Sequence, residues 1–161
     1  YKEEEKMNNG FLGINFAKQL AKGIVGQTQG SYALPGQAYL ALLTGKPNMD
    51  GSNISDLEPI VGGYRREPIG NYNQSLVNCF GEPVVNEDGS VTITNSRQVK
   101  FDKASATWHD KNDNTSFSWY AIMSAQTGGT LIFAGELKAA ITVGVNESVN
   151  LGVGEALITI A

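Results

Sequence analysis

The stretch from Thr115 to Val143 constrains the fold more than any other part of the chain. It reads TSFSWYAIMSAQTGGTLIFAGELKAAITV, with two apolar runs flanking Gln126-Thr127-Gly128-Gly129. Runs of this length, rich in aromatic and β-branched residues and separated by a Gly pair, predict a β-hairpin. Strict alternation puts Phe117, Trp119, Ala121 and Met123 on one face and Ser116, Ser118, Tyr120 and Ile122 on the other. Because both faces carry apolar groups, at least one of the two strands is expected to be central and buried on both sides.

The same alternation recurs along the chain. Gln37 to Thr44 is apolar on both faces and reads as a second central strand. Val84-Val85 and Val91 to Thr94 enclose an Asp88-Gly89 turn, whose Gly supplies the positive φ of a hairpin. Arg97 to Phe101, the sets Ile141/Val143/Val145 and Val149/Leu151/Val153, and Ala156 to Ile160 alternate in the same way. Glu58 to Arg66, with a bend at Gly62-Gly63, and Gln74 to Phe80 are further strand candidates. About nine short strands, 19 Gly residues and no strand–helix alternation predict an all-β, antiparallel β-sandwich, jelly-roll-like in rhythm.

The period changes once, near the N-terminus. Phe16, Leu20 and Ile24 recur every four residues between Phe11 and Val25, with Ala17, Ala21 and Val25 beside them, and Gly26 follows as a stop. This predicts a single N-terminal helix behind a polar arm at residues 1–10. Residues 1–30, arm plus helix, are thus set apart from a sandwich domain at 31–161 by the link Gln27–Gly36. A sandwich closes its own core, so an apolar helix at one end is expected either to pack on the β-domain or to dock on a partner. The candidate docking residues are Phe11, Ile14, Phe16, Leu20 and Ile24.

Several function classes are disfavoured. A net charge of −4 and no basic run longer than Arg65-Arg66 argue against nucleic acid. No apolar stretch approaches the roughly 20 residues of a membrane span, so membrane insertion is not expected. The charged start Tyr1–Lys6 has no apolar core and does not read as a signal peptide. Cys79 is the only cysteine; it is expected to be a buried small hydrophobe in a protein made in a reducing compartment.

No catalytic, cofactor or metal residue is assigned. His109 is the only histidine and lies in the polar string Trp108-His109-Asp110, without a recognisable nucleophile and orienting group. Asp110, Asn112 and Asn114 alternate as in a Ca²⁺ loop. Thr115 stands in the turn-glycine position, Ala121 in that of the distal Glu, and Lys111 lies inside the loop, so no cation is expected. The chain is therefore expected not to be an enzyme. Tyr32, Tyr39, Tyr64, Tyr72, Trp108, Trp119 and Tyr120 could supply a sugar-stacking platform, although the neighbours of Trp119 favour a core role for it.

Taken in order, the strings resemble a known family. Pro35-x-x-x-Tyr39-Leu40-Ala41-Leu42-Leu43-Thr44-x-x-Pro47 and Glu58-Pro59-x-Val61-Gly62-Gly63-Tyr64-x-Arg66 form the front half. Phe101-x-x-Ala104, Trp108, Phe117 to Met123, Thr127-Gly128-Gly129 and Leu131 to Gly135 form the back half. Over roughly residues 11–161 the chain resembles small tailed-bacteriophage virion proteins labelled tail-fibre-like or head-fibre-like. The departures are the 109–114 loop and Gly70 to Asp88. The resemblance implies a virion structural protein, fibre-like or a capsid decoration, made in the bacterial host cytoplasm and attached to capsid or tail. It implies other virion proteins as partners and a homo-oligomer, with a trimer favoured, and it brings no catalytic residues. A contribution to host-surface adhesion fits this reading. The alternative is a carbohydrate-binding module that recognises host-surface glycans.

Overall fold

A computed structural model describes residues 13–30 and 35–160. Among these, one long helix, α1 (Ile14–Ile24), precedes β1 (Gln37–Leu43). A one-turn helix, α2 (Ile54–Leu57), leads to β2 (Glu67–Asn71). Then come β3 (Val84–Val85), β4 (Val91–Thr94), β5 (Val99–Lys100), β6 (Phe117–Met123), β7 (Leu131–Ile141), β8 (Asn150–Leu151) and β9 (Leu157–Ile160).

All pairings are antiparallel. The main sheet has the order β2-β1-β6-β7, the second has β3-β4-β9, and β5 pairs with β8. The β5–β8 ladder is prolonged by bonds from Phe101, Ala104 and Trp108 amides to the carbonyls of Val149, Glu147 and Val143, at 2.8–3.0 Å. One continuous core lies between these layers. Leu40 and Leu42 of β1, Ile69 of β2, and Tyr120 and Ile122 of β6 meet Val91 and Ile93 of β4, Ile158 of β9, Val99 of β5 and Leu151 of β8. The Tyr120 hydroxyl donates to the Leu157 carbonyl at 2.7 Å and so ties the sheets together, and burial pushes its phenol up to about 12. The fold is the all-β sandwich with one N-terminal helix.

β1 and β6 are central, as their apolar faces predict, but the assignment of faces on β6 differs from simple alternation. The ladder to β7 shifts between Phe117 and Trp119: Phe117 opposes Ile141, and Trp119 opposes Glu136. This bulge moves Phe117 onto the main-core face with Tyr120 and Ile122. Trp119, Ala121 and Met123 face the other way, over a smaller cluster with Ala41, Leu43, Ile54, Leu57 and Leu131. Trp119 is consequently half-buried, whereas Trp108 is wholly buried, edge-on to Tyr64 and Phe101, with its indole N–H donating to the Gly62 carbonyl at 3.2 Å.

Three strand candidates are not separate strands. In the set Ile141/Val143/Val145, Ile141 ends β7, and no strand follows before the turn at Val145. Residues 58–66 form a loop because Gly62 and Gly63 both take positive φ, and a side chain on Gly62 would meet Trp108 Cδ1 at 2.7 Å. Gln74 to Phe80 is a 3₁₀ turn at Ser75–Val77, with only an isolated bridge between Phe80 and Asn95. Cys79 is half-buried against the core, and burial pushes its thiol up.

Candidate docking site

The apolar stripe of α1 divides along its length. Ala17, Ala21, Ile24 and Val25 are buried in the main core, and α1 packs across β4 and β9. Leu20 is half-buried against the same core. At the first turn, however, Ile14 is 47% and Phe16 60% exposed. Phe11 lies outside the described residues. Of the candidate docking residues, then, Ile24 is taken up by the core, Leu20 is partly so, and Ile14 and Phe16 remain at the surface.

The C-terminal end of α1 is held by backbone. Gly26 takes φ +76°, its amide bonds to the Gly23 carbonyl at 3.0 Å, and the Gln27 amide bonds to that of Lys22 at 2.9 Å. This pair of bonds is a Schellman cap. The cap rests on the main sheet, since a Cβ on Gly26 would lie 2.7 Å from the Ala38 nitrogen and one on Gly70 only 1.8 Å from the Val25 oxygen. Lys22 pairs with Glu82 at 3.0 Å, and Gln27 Nε2 donates to the Phe80 carbonyl at 3.0 Å. These two contacts tie the C-terminal half of α1 to residues 80–82.

A second, polar site joins segments that lie far apart in the sequence. The buried Arg66 guanidinium grips Glu58 with two bonds, Nη2 to Oε1 at 2.6 Å and Nε to Oε2 at 3.1 Å. Its Nη1 donates to the Ala125 and Gly128 carbonyls at 2.9 and 2.7 Å. Tyr64 donates to Glu58 Oε2 at 2.6 Å and accepts the Leu42 amide at 3.2 Å. Burial and the Glu58 charge hold the Tyr64 phenol well above its usual range. The Glu58-Pro59…Tyr64-x-Arg66 and Thr127-Gly128-Gly129 strings therefore meet in space: Arg66 clasps the β6–β7 turn to the 58–66 loop. An open groove of about 320 Å³ lies beside the clasp, lined by Pro59, Ile60, Arg65, Gln126 and Thr127 among others. Its central charges are already mutually paired, so the clasp positions loops and leaves no free charge for a ligand.

The 109–114 loop is likewise built around one carboxylate. Asp110 is buried. It accepts Thr44 Oγ1 at 2.7 Å, the Asn112 amide at 2.8 Å, and the Asn114 amide and side chain, both at 3.0 Å. Burial alone would raise its pKa; the four hydrogen bonds outweigh it and hold the carboxyl at about 2. Both oxygens are engaged within the loop. His109 Nδ1 lies 2.7 Å from the Asp110 carbonyl. Among the described residues no group of three or more His, Cys, Asp or Glu could hold a metal ion, and no helix is long and apolar enough to cross a membrane.

The described aromatic candidates do not form a platform. Trp108 and Tyr120 are buried, Tyr64 stacks on Phe101, Tyr39 and Trp119 are half-buried, and Tyr72 alone of the described candidates is largely exposed. Tyr32 lies outside the described residues.

No curated protein matches the chain. The family model described as Podophage GP4 fiber I protein gp80 matches residues 15–159, a span that begins in the first turn of α1 and ends in β9. A match over nearly the whole sandwich, helix included, places this chain in that family of bacteriophage fibre proteins, structural components of the virion.

Proposed function

We propose that the chain is a fibre-like or decoration component held on the capsid or tail, that the exposed first turn of α1 is its attachment point, and that it acts by binding and not by catalysis. The observation that carries this reading is the family match over residues 15–159. The exposure of Ile14 and Phe16 at the end of an otherwise buried helix supports the choice of attachment point. Either of these apolar side chains suits insertion into a groove on another virion protein. The engaged state of Asp110, Glu58 and Arg66 supports a binding role, because these buried charges serve loop geometry. Within this reading the protein works as a homo-oligomer and contributes to host-surface adhesion. Gold-labelled antibody on intact particles tests the location: label at a defined position on head or tail is expected, and particles free of label would overturn the reading. A glycan array tests adhesion separately, with binding to surface sugars as the expected result.

A further inference from the structure

At the first turn of α1 an aromatic ring stands out from the domain. Phe16 is 60% exposed. Its neighbours on the helix surface, Gly13, Gln19 and Leu20, carry no charge. This end of α1 has no cap of its own. The N-cap residue is Gly13, which has no side chain to bond the first-turn amides, and the first turn holds no acidic residue. The positive end of the helix dipole therefore meets no carboxylate from its own turn.

A groove of the opposite character lies elsewhere on the domain. It has a volume of about 330 Å³ and runs between β7, beside the bulge that separates Glu136 from Ile141, and residues 147–151. Its lining is mainly apolar, with Leu137, Ile141, Val149 and Leu151. Two carboxylates, Glu147 and Glu155, border it, against one cation, Lys138. Each carboxylate is held by a turn of the same design, Gly144-Val145-Asn146-Glu147 and Gly152-Val153-Gly154-Glu155. In both turns the Glu amide bonds to the Gly carbonyl at 3.1 Å. One carboxylate oxygen then accepts the Gly amide, at 2.9 Å for Glu147 and 3.0 Å for Glu155. Neither carboxylate is ion-paired among the described residues, and each keeps its second oxygen for another donor.

We propose that Phe16 of one copy of this chain seats in this groove on a second copy, with the uncapped first turn of α1 set against its carboxylates. The inference rests on the reading of that turn as the docking element, and it names the groove that receives it. No residue of α1 lines the groove, and α1 packs across β4 and β9. Ring and groove are thus separate surfaces, and the contact runs from one copy to the next. Charge and polarity choose the occupant. The helix end brings an exposed ring and a positive dipole, the groove brings apolar walls and two fixed carboxylates, and the same chain carries both halves. A contact between two different surfaces is heterologous and closes as a ring, which suits the homo-oligomer that the family resemblance implies.

The test mixes two variants of the full chain and reads mass by analytical ultracentrifugation. Phe16→Asp removes the ring and keeps the groove. Ala140→Trp fills the groove and keeps the ring, since Ala140 is an exposed residue of the lining; Thr142→Trp, also exposed there, is a second block. Melting curves like that of wild type establish that each variant folds. Wild type is expected to be an oligomer, and each variant alone should raise the dissociation constant about a hundred-fold. A mixture of Phe16→Asp with either Trp variant retains one intact contact and should form a one-to-one dimer that grows no further. Glu147→Gln with Glu155→Gln keeps both turn bonds, removes both charges and should raise the constant about five-fold. A wild type that is monomeric at every concentration, an oligomer that survives Phe16→Asp, or a mixture that stays monomeric would each overturn the proposal. If wild type is monomeric in solution while Phe16→Asp is lost from particles, this inference alone fails, and another virion protein supplies the groove. Full occupancy of particles by Phe16→Asp would overturn the choice of attachment point itself.

Discussion

At its C-terminal end α1 is fixed by contacts a side chain cannot evade: the Schellman cap at Gly26 lies against the backbone of Gln37 and Ala38, and Gly70 leaves no room for a methyl beside the Val25 carbonyl. At its N-terminal end, about three turns away, Ile14 and Phe16 lie at the surface. One amphipathic helix therefore carries two fates. The half flanked by small residues, Ala17, Ala21 and Gly23, lets the sheets approach and becomes core. The first turn, with Ile14 and Phe16, stays exposed. Helical period alone marks a stripe, and contact with the sheets decides which part of it is buried.

Substitutions along the helix should grade accordingly. Ala21→Asp puts a carboxylate with no partner into the core and should cost about 4 kcal/mol or more, seen as loss of a cooperative urea transition. Ile24→Ala should cost about 3 kcal/mol through the cavity it leaves, measured from the denaturation midpoint. Gly70→Ala should cost about 1–3 kcal/mol by overpacking against Val25, with the β1–β2 ladder shifted in the amide spectrum. Phe16→Asp should change stability by no more than about 0.5 kcal/mol. A Phe16 effect as large as that of Ile24 would erase the distinction between the two ends.

Much of this architecture was legible in the sequence. The central strands β1 and β6 are apolar on both faces, β4 and β9 alternate cleanly, and Asp88-Gly89 marks a hairpin turn whose Gly does take φ +86°. The bulge beside Phe117 was not legible, because it depends on which β7 residue sits opposite and not on the β6 string itself. It sets Phe117 and Trp119 on opposite faces. The Glu58–Arg66 clasp was also hidden: its acceptors at Ala125 and Gly128 are main-chain carbonyls, which carry no residue signature. The one available signal was a Tyr, an Arg and a Glu close together in a segment too rich in Gly to be a strand. For the docking site, the stripe was visible as a whole, and its division into buried and exposed halves was not.

The most direct test is the occupancy of assembled particles by the variant Ile14→Asp/Phe16→Asp, measured alongside its melting temperature. The proposed attachment predicts a protein that melts like wild type, because neither side chain belongs to the core, yet is missing from purified particles. Full occupancy by a normally folded variant would contradict it.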